Sequence, residues 1–184
     1  MTSDIHPAMP QSFDRARRIS VVIVLLFDIA FWASAAFLVL VPVVLVFFLP
    51  NLAGVVADEW AKHSNLPLTD FSLGRRLLLM VPFLIGMAPK LFLFSHGRKL
   101  FAGFTRGAVF TEATIAHLKA LGFWLIVSAV LGMVAQMFFF AIAEVRDPKF
   151  DMQITSLLYG AMTYVAAYVM AEARHIAADN AEII

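Results

Sequence analysis

No cysteine occurs among the 184 residues. That excludes a disulfide framework, a thiolate metal site and a cysteine nucleophile. Charge is also scarce, at 15% of residues against about 25% in soluble domains. The formal net charge of +1 gives no footing for direct nucleic-acid binding. No glycine-rich phosphate loop, dinucleotide fingerprint, metalloprotease helix or nucleophile elbow is present. No repeat with a period of 20 to 50 residues is visible, and the two halves do not match as inverted transporter repeats would.

What the chain has in excess is apolar surface. Hydrophobic residues make up 61% of it, against about 45–50% in soluble domains, and they cluster in stretches long enough to cross ~30 Å of hydrocarbon as helix. Four spans are expected, at about 19–49, 77–94, 120–143 and 154–171. They form one all-α transmembrane bundle over 19–184, after an N-terminal segment, 1–18. The first run, Ile19 to Leu49, would make about 46 Å of helix. It must therefore tilt, kink at Pro42 or leave the membrane early. Its start, Arg15 to Arg18 followed by apolar residues and Ala33-Ser34-Ala35, has the outline of a signal peptide. The run continues well past that point, so it reads as a span.

Four crossings put both termini on one side. Arg15, Arg17, Arg18, Lys90, Arg98, Lys99, Arg106, Lys119 and Arg174 flank that side; Lys62, Arg75, Arg76, Arg146 and Lys149 flank the other. Nine against five places the termini and the middle connection in the cytoplasm.

The middle connection holds the stretch GAVFTEATIAHLKALG, residues 107 to 122, which reads as the start of a soluble helix. Thr111 is a good N-cap, and Glu112 follows where the helix dipole favours a carboxylate. Phe110 and Ile115 are spaced as a hydrophobic staple. His117 and Lys119 fall opposite Ile115 and Leu118, as in a short amphipathic helix lying at headgroup level before the third span. Trp60, with Asp58 and Glu59, suits a second short interfacial helix.

Residues 99–122, KLFAGFTRGAVFTEATIAHLKALG, set an aromatic and basic lead-in before a glycine, Phe-Thr, and a helix with Leu-Lys then Gly. The tail 172–184, EARHIAADNAEII, carries Glu172 and Asp179 and ends apolar. In these two motifs the chain resembles the bacterial four-span membrane proteins catalogued as domain of unknown function 2975, from the first apolar run to the tail. It departs where Ala173 replaces the family's glycine and where Glu182 falls one place late. The resemblance implies an accessory or regulatory membrane protein, with no reaction attached. Arg98, Lys99, Gly107, Phe110, Thr111, Glu112, Glu172 and Asp179 are then the candidate interaction residues.

The other candidates are the intramembrane polar groups Asp28, Lys90 and Gln136. An intramembrane carboxylate is costly unless it is protonated or paired. Asp28 is expected to pair with Lys90, as a packing contact or as part of a proton or cation relay. His96, His117 and His175 fall at the same ends of their spans without the spacing of a metal site, and read as solvated interfacial groups. Ser128 and Gly132, then Gly160, Ala167 and Ala171, are small enough for close helix packing. No cofactor or metal is expected.

The leading expectation is a non-catalytic protein of the bacterial inner membrane. Its partners are the bilayer and a protein bound at the cytoplasmic face, with self-association left open. The alternative is a small transporter or channel using Asp28 and Gln136. A membrane enzyme would need the three histidines to converge.

Overall fold

The computed structural model describes residues 11–48, 59–67, 70–108 and 110–181, with side chains from Arg17 onward. Among the described residues four helices are long and apolar enough to cross a membrane. They are α1 (Gln11–Val43), α2 (Leu73–Thr105), α3 (Glu112–Ala143) and α4 (Ile154–Ala181). No β-strand occurs among the described residues; Ser64 and Val145 form an isolated bridge.

Pro42 does not end α1. A proline lacks the N–H that would bond the carbonyl one turn back, and here the chain continues beyond it as a π-helical turn, Val44–Phe48. Pro82 and Pro89 are likewise carried inside α2. Both are buried, in keeping with the tolerance of proline in spans whose neighbours compensate for the lost bond.

α2 is longer than the expected span 77–94. Its 33 residues make about 50 Å of helix, because backbone hydrogen bonding does not stop where the side chains turn polar. Ser72 starts the helix by accepting from Arg75 N at 3.3 Å. Its end is a Schellman motif: Ala108 N donates to Gly103 O and Gly107 N to Phe104 O, each at 3.0 Å. Gly107 takes φ 77°, a left-handed value that suits glycine at this position.

α3 begins at once after this turn, capped by Thr111. The expected amphipathic lead-in is therefore the first turns of one continuous 32-residue helix. Nothing between Glu112 and Ala143 breaks the backbone ladder, and Gly122 is held in place by a neighbouring helix. Thr114 is buried and donates to Ala108 O at 2.6 Å while sharing a hydrogen bond with Thr111 Oγ1 at 2.8 Å. Thr114→Val is expected to cost about 1–2 kcal/mol, since it leaves the Ala108 carbonyl and the cap hydroxyl unmatched. Thermal unfolding in mild detergent would check this, and a variant as stable as the parent would contradict it.

The helices stand in a row. α1 packs on α2, α2 on α3 and α3 on α4, and among the described residues helices that are not neighbours in the chain do not pack on one another. The most apolar stretch of α1 contains no buried residue, as expected of a helix with a protein neighbour on one side only.

Two glycines set the tightest crossing. A methyl group at Gly122 would lie 2.7 Å from Tyr164 N and 2.9 Å from Gly160 O, and one at Gly160 would lie 3.0 Å from Gly122 O. α3 and α4 therefore meet backbone to backbone, the geometry small residues permit in membranes. Gly132 plays a different part, since its open side holds the Gln153 amide, 3.3 Å from where a methyl would stand.

At the end of the row away from the termini, residues 59–63 form a short helix. Trp60 Nε1 donates to Leu66 O at 2.7 Å and its ring packs edge-on against buried Phe71. Lys62 Nζ bonds Glu59 Oε2 at 2.7 Å, which holds the exposed Glu59 carboxyl below its ordinary value. Ser64 Oγ donates to Ala143 O, pinning this segment to the end of α3. Asp58 lies outside the described residues.

Candidate functional site

The α2–α3 hairpin gathers one set of candidates at the end of the row that also holds the start of α1 and the end of α4. Gly107 acts there through its backbone, as the C′ glycine, and Thr111 through its hydroxyl, which accepts from Thr114 N at 3.3 Å as the N-cap. Glu112 reaches Arg174 on α4, with Oε2 3.6 Å from Nη2. It is 87% exposed, so the pair adds little stability. Phe110 remains 61% exposed while Ile115 is buried. The ring is left facing outward, where the sequence pattern assigned it to a staple.

Lys99 and Arg106 border a notch with Thr111, Thr114 and His117. Arg106 Nε is used internally, donating to Ala102 O at 3.1 Å. Among the described residues neither cation has a carboxylate partner. Glu172 and Asp179 are exposed on α4, and Glu182 lies outside the described residues.

His96 and His117 do meet, unlike the solvated groups expected. Their Nδ1 atoms are 3.2 Å apart and both rings are half-buried. Only one ring can donate in such a bond, so the pair holds at most one positive charge while it stands. A hairpin turning near Gly107 brings together residues equidistant from it, which is the signal that spacing along one helix cannot supply. His175 sits apart, in a groove with Glu112 and Arg174. No group of three metal-ligating side chains occurs among the described residues. Lys119, also missed, lies 4.4 Å from the Tyr168 ring centroid and donates to Tyr168 Oη at 3.1 Å.

The intramembrane candidates fall in two separate places. Asp28 pairs with Arg98, not with Lys90: Oδ1 is 2.8 Å from Nε. The N–H is not aimed along that line, so this is an ion pair whose carboxylate oxygen has no hydrogen-bond partner. The α1–α2 register explains the partner. Phe27 seats on Gly97, its ring 5.7 Å from Phe101 and 6.2 Å from Phe94, which sets Asp28 level with Arg98.

Lys90 and Gln136 instead line one cavity of about 430 Å³ between α1, α2 and α3. Gly86, on its wall, faces Ala135 and lies about 18 Å along α2 from Arg98. Among the described residues Lys90 has neither an ion pair nor a hydrogen bond. A lysine within a span costs about 2.5–3.5 kcal/mol on insertion scales.

The family model for a protein of unknown function, DUF2975, matches residues 51–184. The chain belongs to the DUF2975 family. The match covers α2, α3 and α4 together with both motifs, and it begins after α1, so the family likeness is shorter than the whole-chain resemblance expected. Asp28 lies outside the matched region, whereas Lys90, the histidine pair and the hairpin turn lie within it. No curated protein and no solved structure matches this DUF2975 chain.

Proposed function

We propose that this DUF2975 chain is a non-catalytic, accessory or regulatory protein of the bacterial cytoplasmic membrane, with both termini and the α2–α3 turn in the cytoplasm. It acts by docking a protein partner on that turn. The observation that carries this reading is the state of the turn. Interlocking caps fix the helix end before it and the helix start after it, yet Phe110 faces outward and Lys99 and Arg106 have no acidic partner among the described residues. An exposed ring beside cations that have no acidic partner among the described residues, between two capped helix ends, suits an acidic segment carrying an apolar anchor. The excess of Lys and Arg on this side supports the orientation. The alternative transporter route through Asp28 and Gln136 has less support, since Asp28 is held by Arg98 well away from the cavity that Gln136 lines.

The test is cross-linking in intact cells followed by purification in mild detergent. Combining Phe110→Ala with Lys99→Glu and Arg106→Glu is expected to lower recovery of the cross-linked partner at least tenfold without changing helix content. If every partner is recovered in unchanged yield, docking at this turn is wrong.

A further inference from the structure

The cavity beneath Lys90 lies away from the docking turn and does not depend on it. Below Lys90 its walls from α1, the π-helical turn and α2 are apolar, with Val41, Leu45, Leu79 and Phe83 among them. The opposite wall is polar, carrying Ser128, Gln136 and Gln153. The chain builds that wall by an unusual route. Asp151 N donates to Gln136 Oε1 at 3.1 Å and Gln153 rests on Gly132. Residues 144–153 therefore run back along α3 for about three turns before α4 begins. Irregular backbone at this depth is tolerated where it is covered by protein or lines a cavity. The side away from α2, where a membrane-spanning chain meets lipid, is open, because among the described residues the α1 and α3 backbones do not pack together.

An ammonium without a counter-ion among the described residues, at the head of a cavity with apolar walls on two sides and a mouth toward lipid, specifies what fits. The charge calls for an anion, and the mouth admits only what travels in the membrane. A volume of about 430 Å³ lies at the lower end of the ~300–1,000 Å³ usual for ligand sites, which favours one chain over two. We propose that the cavity binds an anionic amphiphile, with a carboxylate or phosphate head at Lys90 and one acyl chain along Leu79 and Phe83.

The test uses the full chain in nanodiscs of phosphatidylcholine, titrated with oleate, oleyl alcohol and phosphatidylglycerol. Lys90→Met removes the charge at similar volume and relieves an unpaired ammonium, so it should fold. Lys90→Arg keeps the charge. Oleate or phosphatidylglycerol should bind the parent and Lys90→Arg at least tenfold more tightly than Lys90→Met, while oleyl alcohol should not distinguish them. Preference for oleate identifies a free fatty acid as the source, and preference for phosphatidylglycerol identifies a bilayer lipid; either result supports the site. Equal binding of both anions to the parent and Lys90→Met overturns the proposal, as does no binding of either to the parent.

Discussion

Gly122→Val is expected to destabilise the protein by about 3 kcal/mol, the upper end of what overpacking usually costs. Whether a crowded site can relax depends on what stands next to it. At Gly122 the neighbours are Tyr164 N, Gly160 O and the Tyr164 Cα, backbone atoms that can yield only if α4 moves away whole. Among the described residues α4 packs on no helix but α3, so no second helix retains it. The melting midpoint in detergent should fall by roughly 6–12 °C. Gly160→Val should behave alike. Gly74→Ala is the control, since its nearest atom would be Ser72 Oγ at 4.0 Å and the exchange gains about 1 kcal/mol of helix propensity. A Gly122→Val protein that melts with the parent would show that the two backbones are not in contact.

The second large effect concerns the other edge of the row. Gly97→Leu is expected to release α1 from α2, because the Phe27 ring occupies the space a side chain there would need. The distinguishing result is its rescue. Phe27→Ala alone should cost about 2 kcal/mol, less than in a water-soluble core because lipid can replace part of the lost contact. Combined with Gly97→Leu it should recover most of that loss, a coupling of more than 1 kcal/mol between touching residues. With no native cysteine, cysteines placed at Phe37 and Phe83, whose rings lie 6.2 Å apart, report the contact through a short thiol cross-linker. Cross-linking should vanish in Gly97→Leu and return in the double variant. Additive losses would mean that Phe27 does not sit on Gly97.

The spans and the Thr111 cap were legible because both are local properties. An apolar run declares its own length, and Thr111 carries its capping chemistry within a few residues of the helix start; the Gly107 cap was missed because the apolar run stops at Phe94, well before the helix does. Pairings between helices were not legible, since they depend on register. The extension of α2 from Phe94 to Thr105 is an example. The SHGRK stretch signals the edge of the hydrocarbon, but it does not end a helix, and the extra turns carry His96 to His117 and Arg98 to Asp28. The cavity was hidden for the same reason. Lys90 and Gln136 stood out as polar residues in apolar runs, but nothing in the sequence brings Gln153 back to Gly132.

The order of helices in space repeats their order in the chain, and this bears on how the molecule is made. When α2 emerges from the ribosome its one earlier neighbour, α1, is already in place; α3 then needs only α2, and α4 only α3. No helix must wait for a later one to cover it, and no early helix has to be reopened to admit the last. Assembly can keep pace with synthesis, one hairpin at a time.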